Sequence, residues 1–204
     1  LGNGTQNASL ISLVNPSSTA ITEVNSPTWV ANQGYTGNGT TSYLNTNFNL
    51  NTQGVNYTQN NASYGSYIRT NVAEAGVSHG GFAVSTSQTI IDPRTVADLF
   101  AYRINDDLLV TVANTNSQGF YAVARTGSAA TEGFKNGVSQ MTGTDTSAAP
   151  PNIAQYLLAR NNNGTADFFS TREISISFFG SGNINQLTFY NIIQKYMTSI
   201  ATQV

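Results

Sequence analysis

The acidic side chains of this chain are too dispersed to suggest a catalytic pair. Glycoside hydrolysis requires two carboxyl groups about 5–9.5 Å apart. The glutamates stand alone in the sequence: Glu23, Glu74, Glu132 and Glu173. Glu173 lies in an alternating strand pattern, where the residue two positions further on is Ser175 rather than a second acid. The sequence therefore predicts no catalytic residues, and we expect a protein that is not an enzyme.

The single histidine and the absence of cysteine restrict the remaining chemistry. His79 stands before Gly80-Gly81, no Gly-x-Ser-x-Gly nucleophile elbow is present, and we interpret His79 as a loop histidine without a catalytic function. A chain without cysteine has no disulfides, thiolate metal sites or cysteine nucleophiles. One histidine and no cysteine also exclude the common zinc sites.

Two groups of oxygen-bearing side chains are candidates for a calcium site. Asn105, Asp106 and Asp107 are consecutive, and Asp167 follows an asparagine-rich segment. Carboxylate and amide oxygens are the ligands that Ca²⁺ prefers. Consecutive Asn and Asp residues are also ordinary turn formers, because their side chains bond to nearby backbone amides. We therefore predict calcium as a possible cofactor and keep the turn interpretation open beside it.

Sugar binding is the chemistry for which the chain has the most suitable residues. Pyranose rings pack against aromatic faces, and Asn, Asp and Arg bond to their hydroxyl groups. The predicted ligand-binding residues are Tyr67, Arg69, Tyr102, Arg160, Asn161, Asn162 and Asn163. Trp29, Tyr35 and Tyr64 are further aromatic candidates. For each of these residues the alternative is core packing, or for the asparagines a tight turn.

The elements that would position these residues are predominantly strands. Asn136-Gly137, between strand-like runs in the segment 118–141, predicts a hairpin with a type I′ turn, and Asn38-Gly39 predicts a second hairpin. Residues 63–72 alternate, so that Ile68 faces one side and Tyr67 and Arg69 the other. The apolar run 108–113 is typical of a strand in the middle of a sandwich. Turn-forming residues recur roughly every 8–14 positions, as in all-β sandwiches.

One segment departs from the strand pattern near the C-terminus. Residues 183–202 carry apolar side chains at helical spacing, namely Leu187, Tyr190, Ile193, Met197 and Ile200. Asn183 and Gln186 resemble a capping box. We therefore predict one amphipathic helix on the outside of the sandwich.

The bulk composition limits the partners. Charged residues make up 9% of the 204 residues, against roughly 25% in ordinary soluble domains, and the net charge is -2. A nucleic acid partner is not expected, because no basic stripe would neutralise phosphates. No apolar run approaches the roughly 18 residues of a membrane span. Because the chain starts at Leu1, we interpret it as processed or as part of a longer polypeptide. A homo-oligomer is the alternative expectation.

A series of motifs, in a fixed order, resembles one known family. The motifs are YTGNGTTSYLNT, YIRTN, GFYAVAR, EGFKNGV, YLLARNNNGT and STREISISFFG, followed by the predicted helix. They are similar to the concanavalin A-like, laminin-G-like jelly-roll domains of phage virion proteins and some bacterial surface proteins. The resemblance implies an all-β, two-sheet antiparallel sandwich over residues 10–204, after a linker or tail at residues 1–9. Laminin-G-like domains often hold calcium, so it also supports that possibility.

The resemblance implies a binding role outside the cell. Hydrolases on this scaffold typically carry a Glu-x-Asp-x-x-Glu type pattern, which this sequence lacks. We expect a non-enzymatic, virion-surface domain of a tail, fibre or capsid that binds host glycans or mediates attachment. The alternatives are a structural decoration or assembly module that packs on neighbouring virion subunits, a bacterial surface adhesin, and a glycoside hydrolase.

Overall fold

The computed structural model describes residues 4–17, 20–84 and 86–201. Within these ranges the chain is mainly strands, with three helices. The strands are β1 (Thr22–Val24), β2 (Thr28–Val30), β3 (Gly34–Thr36), β4 (Tyr43–Asn49), β5 (Ala62–Ile68), β6 (His79–Val84), β7 (Ser87–Asp92), β8 (Leu99–Asp106), β9 (Val110–Ala113), β10 (Gly119–Gly127), β11 (Ala130–Lys135), β12 (Val138–Gly143), β13 (Ala154–Leu157), β14 (Arg160–Asn162), β15 (Thr165–Asp167) and β16 (Glu173–Gly180). The helices are α1 (Gln6–Ser9), α2 (Leu50–Gln53) and α3 (Gln186–Ala201).

The strands form two sheets that pack face to face. Sheet A has the order β1-β4-β13-β6-β7-β8-β9, with β14 also paired to β6 and β15 paired to β14. Sheet B has the order β12-β11-β10-β5-β16-β3-β2. The named pairs are antiparallel except β14 with β6, which runs parallel. The predicted all-β, two-sheet jelly-roll sandwich is confirmed.

The core lies between the sheets and follows the predicted alternation. In β5, Tyr64 and Ile68 are fully buried among the core residues, whereas Tyr67 points to the other face of the sheet. In β10, Tyr121 and Val123 face the same core. Alternate side chains of a strand point to opposite faces, so the sequence pattern correctly assigns these faces.

Helix α3 covers the outer face of sheet B, as predicted. Its Ile193, Met197 and Ile200 pack against Phe120 and neighbouring residues of the sheet. Two details of the prediction were wrong: Leu187 is exposed, and the residue that caps the helix is Asn185, whose side-chain oxygen accepts from the Thr188 N–H at 2.9 Å. No helix in the described ranges is long and apolar enough to cross a membrane. The predicted helix end at Thr202 and residues 1–3 of the predicted tail lie outside the described residues.

Of the two predicted Asn-Gly hairpins, one is confirmed and one is wrong. Asn136 and Gly137 have φ angles of 53° and 76° and join β11 to β12, as a type I′ turn requires. Asn38-Gly39 instead connects β3 of sheet B to β4 of sheet A. There the Asn38 side-chain oxygen accepts from three backbone N–H groups, those of residues 40, 41 and 42. The Asn-Gly dipeptide therefore forms a hairpin turn at one position and part of a connection between the two sheets at the other.

The predicted central strand at residues 108–113 is also wrong. Strand β9 starts at Val110 and forms an edge of sheet A. Leu108 and Leu109 precede it and are 45% and 41% exposed. An apolar run alone does not indicate whether a strand has two neighbours or one.

Arg125 connects the two sheets at one end of the core. It follows Tyr121 and Val123 on the inward face of β10 and is fully buried. Its guanidinium pairs with Asp106 of β8 and donates to the Ile104 carbonyl at 2.9 Å. Burial raises the pKa of the Asp106 carboxyl to about 6, and the positive charge of Arg125 opposes that rise.

Arg172 connects the sheets at the opposite end. It immediately precedes β16, is fully buried, and pairs with Asp92 of β7 at 3.0 Å and with Glu74 at 3.3 Å. It also donates to the carbonyls of residues 72, 76 and 94. The register of β5 shows that the two arginines lie at opposite ends. Ala62, the first residue of β5, pairs with Arg125, whereas Ile68, its last residue, pairs with Ile174, two residues after Arg172.

We expect the Arg125→Met substitution to lower the free energy of unfolding by about 3–5 kcal/mol, because it leaves the Asp106 carboxylate buried without its counter-charge. Equilibrium unfolding in urea measures this loss. Arg94→Met is the matched control, because Arg94 pairs with Asp98 at a partly exposed position and such pairs contribute about 0–1 kcal/mol. Equal losses in the two variants would contradict the structural importance of the buried pair.

Candidate functional site

The β14–β15 hairpin is built by a tight turn and a buried amide. Asn163 and Gly164 form the turn with φ angles of 49° and 95°. Asn161 is buried, donates from its side-chain nitrogen to the Ala154 carbonyl at 2.8 Å, and accepts from the Gly164 N–H at 2.7 Å. Asn163 is exposed at the tip. Asn161 therefore holds the hairpin in shape, and only its neighbours are available to a ligand.

Arg160 is fixed by both a carboxylate and two rings. It donates to the two carboxylate oxygens of Asp167 at 2.8 and 2.6 Å, a bidentate pair. Its guanidinium carbon lies 4.3 Å from the ring centroid of Phe168 and 5.2 Å from that of Phe82. Asn162 donates to the same Asp167 carboxylate at 2.9 Å. We call these residues, 160–168 with Phe82, the Arg160 hairpin.

Phe168 is the most unusual residue of the Arg160 hairpin. Its side chain is 46% exposed, and its φ angle of 47° lies in the left-handed region that non-glycine residues rarely adopt. Such backbone strain persists where the surrounding structure imposes it, and it is concentrated at functional sites. Phe168 thus presents an exposed aromatic ring, on a strained backbone, beside the fixed Asp167 carboxylate and the Asn162 and Asn163 amides.

A glycine makes room for this arrangement. A Cβ atom on Gly80 of β6 would lie 2.9 Å from the Arg160 Cα, so only glycine lets Arg160 lie over the sheet at this point. The sequence prediction included Arg160 to Asn163 and Asp167 but missed Phe82, Phe168 and Gly80. The detectable signal was an aromatic residue directly after a short hairpin strand that ends in Asp.

The other predicted ligand-binding residues are not part of this hairpin. Tyr67 lies on the outer face of sheet B among the residues packed under α3, with its hydroxyl 3.4 Å from the Gln194 side chain. Arg69 lies 3.7 Å from Glu173. Tyr102 is fully buried in the core and bonds to Thr131 at 3.0 Å. A ligand cannot reach Tyr102 in this structure, so we remove that residue from the candidate site.

Three of the four predicted calcium ligands bond to other side chains of the protein. The Asn105 side chain accepts from the Tyr57 hydroxyl at 3.1 Å, Asp106 pairs with Arg125, and Asp167 pairs with Arg160. Asp107 is exposed. Across the described part of the chain, no group of three or more His, Cys, Asp or Glu residues could hold a metal ion. Calcium binding at these residues stays a prediction. Melting curves measured with calcium and with a chelator test it.

His79 is a core residue rather than the loop residue expected from the sequence. It begins β6, is fully buried, and contacts the rings of Tyr64 and Phe179 edge-on at 5.3 and 4.7 Å. Among the described residues its Nε2 atom has no hydrogen-bond partner, and Nδ1 lies 3.4 Å from the Ser66 hydroxyl. Burial lowers the pKa of His79 to about 3, so the imidazole is neutral in the folded protein.

Comparisons with known proteins show the fold and no family. No protein-family model matches the chain, and no curated protein matches it in sequence. A structure of a mutant of HCR/D matches at a TM-score of 0.59 and 10% identity, over 84% of this chain and 46% of that one. A structure of NanB with Optactamide matches at 0.55 and 11% identity, over 77% and 27%. This chain therefore spans less than half the length of either matched protein.

A third solved structure is a single domain. It is domain 4 of AbnA, a GH43 extracellular arabinanase from Geobacillus stearothermophilus, in complex with arabinotriose. It matches at a TM-score of 0.49 and 12% identity, over 87% of this chain and 84% of that one. At identities of 10% and 11%, the likeness to the first two structures shows the fold alone, because one fold carries many functions.

We expect the stability advantage of the wild-type protein over His79→Leu to fall by about 2–3 kcal/mol between about pH 7.5 and about pH 4.5. The pKa of His79 is 6.5 unfolded and about 3 folded, so the unfolded state takes up the proton first as the pH falls. The stabilisation is therefore present above pH 6.5 and is lost progressively towards pH 3. Urea unfolding of both proteins measures it, and their shared carboxylates cancel in the difference. A constant difference would show that folding does not lower the pKa of His79.

Proposed function

We propose that this chain is a glycan-binding module and that the Arg160 hairpin is its binding site. One observation carries the proposal: the exposed Phe168 ring lies against a guanidinium that is held by the Asp167 carboxylate. The exposed ring offers an apolar surface to the C–H groups of a pyranose. Beside it, Asp167 accepts hydrogen bonds from sugar hydroxyls, and the amides of Asn162 and Asn163 both donate and accept.

The charge balance of the hairpin favours a neutral sugar. Arg160 is the one cation of residues 160–168 and Asp167 the one anion, and they form a bidentate pair. Because the guanidinium contacts two rings and already forms a bidentate pair with Asp167, it is not available for a bidentate pair with an acidic sugar. Recognition of a neutral sugar would then depend on the positions of its hydroxyl groups and on the stacking of its ring against Phe168.

We propose binding without a covalent step. Retaining and inverting glycosidases both use two carboxyl groups. The hairpin has one, and that carboxylate accepts from Arg160 and Asn162. Asp92 and Asp106 are each bonded to a buried guanidinium. The dispersed acids of the sequence and these structural pairs support the non-enzymatic proposal.

The finer proposal concerns where the module operates. We propose that the module lies on the surface of a virion and takes part in host attachment. The ordered sequence motifs, which resemble jelly-roll domains of phage virion proteins, support this proposal. The low charge content supports an exposed protein that recognises its partner by hydrogen bonding. Locating the chain in purified particles by labelling tests this, and absence from particles would leave glycan binding as a property of some other setting.

An assembly module is the second candidate function, and a different surface favours it. Leu187 and Ile192 of α3 are 52% and 57% exposed, and Val138 of β12 is 58% exposed. The Leu187 Cα lies 2.7 Å from the position of a Cβ on Gly137, next to Val138, so two of these apolar residues are neighbours. Concentration-dependent self-association without glycan binding would support this function instead.

We expect Phe168→Ala to weaken glycan binding about tenfold, because the loss of an aromatic contact of about 1.5 kcal/mol corresponds to that factor. A glycan array with the full chain identifies the ligand, and calorimetric titration then gives the affinity. Ile192→Ala is the control, since it removes another exposed apolar side chain from the opposite layer. Equal affinities in wild type and Phe168→Ala would place the binding site elsewhere.

Phe168→Gly separates binding from folding in the same experiment. Glycine adopts the positive φ angle of this position without strain, so the variant should keep its melting temperature while losing the ring. If neither the wild type nor any variant binds a neutral glycan, the proposed function is wrong.

A further inference from the structure

Arg103 is an arginine on the outer face of sheet A without a carboxylate partner. It lies in β8 between Tyr102 and Ile104, which face the core, so its side chain points to the opposite face. Every other arginine of the chain has a carboxylate oxygen within 3.7 Å of its guanidinium. Among the described residues Arg103 forms no such ion pair. Its positive charge therefore lacks a direct counter-charge.

The unused part of the Arg103 guanidinium is open to solvent. Its Nε–H donates to the Asp107 carbonyl at 3.0 Å, and the N–H groups of the two Nη atoms have no partner within the described ranges. Arg103 is half-buried, and both Nη atoms reach solvent. Two coplanar nitrogens side by side form the edge by which arginine binds a carboxylate or another oxyanion through two parallel hydrogen bonds.

The surroundings of Arg103 favour an anion from outside the protein. Burial lowers the pKa of Arg103, because a half-buried cation has lost part of its hydration. The Asp106 carboxylate opposes this effect and Arg160 adds to it, but Asp106 is already bonded to Arg125. Asp107 is exposed, so water and salt screen its charge. A bound oxyanion would supply the counter-charge that the protein does not, and buried charges are stable when they are paired.

Arg103 lies on the same face of sheet A as the Arg160 hairpin. Arg103 pairs with Ile90 of β7, and Ile90 pairs with Gly80 of β6, over which Arg160 lies. Neighbouring strands are about 4.7–4.9 Å apart, so the backbones of Arg103 and Gly80 are separated by roughly 10 Å. Adjacent units of one oligosaccharide can span such a distance.

We propose that Arg103 binds an acidic group, a carboxylate or a sulfate, on the sugar unit next to the one that stacks on Phe168. This inference rests on the proposed function and adds a ligand class to it: an oligosaccharide with neutral and acidic units. The Arg160 hairpin binds the neutral unit, because its own charges are matched. Arg103 binds the acidic group through its two Nη atoms. Two unlike subsites then determine the direction in which the ligand lies on the sheet.

NMR spectra of the full ¹⁵N-labelled chain test the anion subsite without a sugar. Sodium acetate, sodium sulfate and sodium chloride are titrated separately at equal ionic strength. We expect a saturable shift of the Arg103 Nε–H signal with acetate or sulfate and none with chloride. The Nε–H signal of Arg94, which is paired with Asp98, is the internal control and should not move. Phe168→Ala should show the same Arg103 shift, so a failure of glycan binding at the hairpin leaves this result intact.

Matched saccharides test the ligand class by calorimetric titration. A hyaluronan tetrasaccharide, with alternating neutral and carboxylate units, is compared with its carboxyl-reduced form. A κ-carrageenan tetrasaccharide, with alternating neutral and sulfated units, is compared with its desulfated form. We expect at least one acidic form to bind about tenfold more tightly than its neutral counterpart, because hydrogen bonds between charged groups are the stronger ones. The pair that shows the difference identifies the acidic group as carboxylate or sulfate.

Arg103→Gln should abolish this tenfold preference and leave the affinity for the neutral form unchanged. Lys195→Gln removes the same charge from an exposed position of α3, on the opposite layer, and should keep the preference. Three results would overturn the proposal: an unmoved Arg103 signal with both acetate and sulfate, acidic forms that bind no more tightly than neutral ones, or a preference that survives in Arg103→Gln. The first two come from the wild-type protein and do not depend on whether a variant folds.

Discussion

The structure depends on two arginines that are withdrawn from water inside the sandwich. The chain has eight basic residues in total, and Arg125 and Arg172 are fully buried. A buried guanidinium must have its donors satisfied by carboxylates and carbonyls, or the fold loses several kcal/mol. Each arginine therefore fixes loop carbonyls and an aspartate of the opposite sheet, one at each end of the core. These two sets of bonds link the two sheets at both ends of the core.

This arrangement decides which surfaces remain for function. The ends of the core are closed by the arginine networks, and the outer face of sheet B is largely covered by α3. The Arg160 hairpin beside β6 is one surface that neither the arginine networks nor α3 covers. It is polar but nearly neutral, as the low charge content of the chain implies. Hydrogen bonding and stacking are the interactions that such sites provide.

The sequence predicted those features that depend on local periodicity. The alternation around Ile68, the Asn136-Gly137 turn and the apolar stripe of α3 each report the environment of one segment, and the structure confirms them. Periodicity does not report how segments pair. It therefore could not show that Asn38-Gly39 crosses between sheets or that His79 starts a buried strand. Arg125 was detectable in principle, since it continues the inward positions of Tyr121 and Val123.

The candidate site illustrates the same limit at the level of single residues. The sequence identified the polar run from Arg160 to Asn163, because asparagine-rich turns and sugar sites share a composition. It could not assign Asn161 to the support of the turn, or show that Asp167 pairs with Arg160, because those contacts depend on bonds across the hairpin. Phe168 becomes significant only when its exposure and its backbone angle are known together. Core packing does not explain an exposed ring on a strained backbone. The proposed function therefore rests on Phe168.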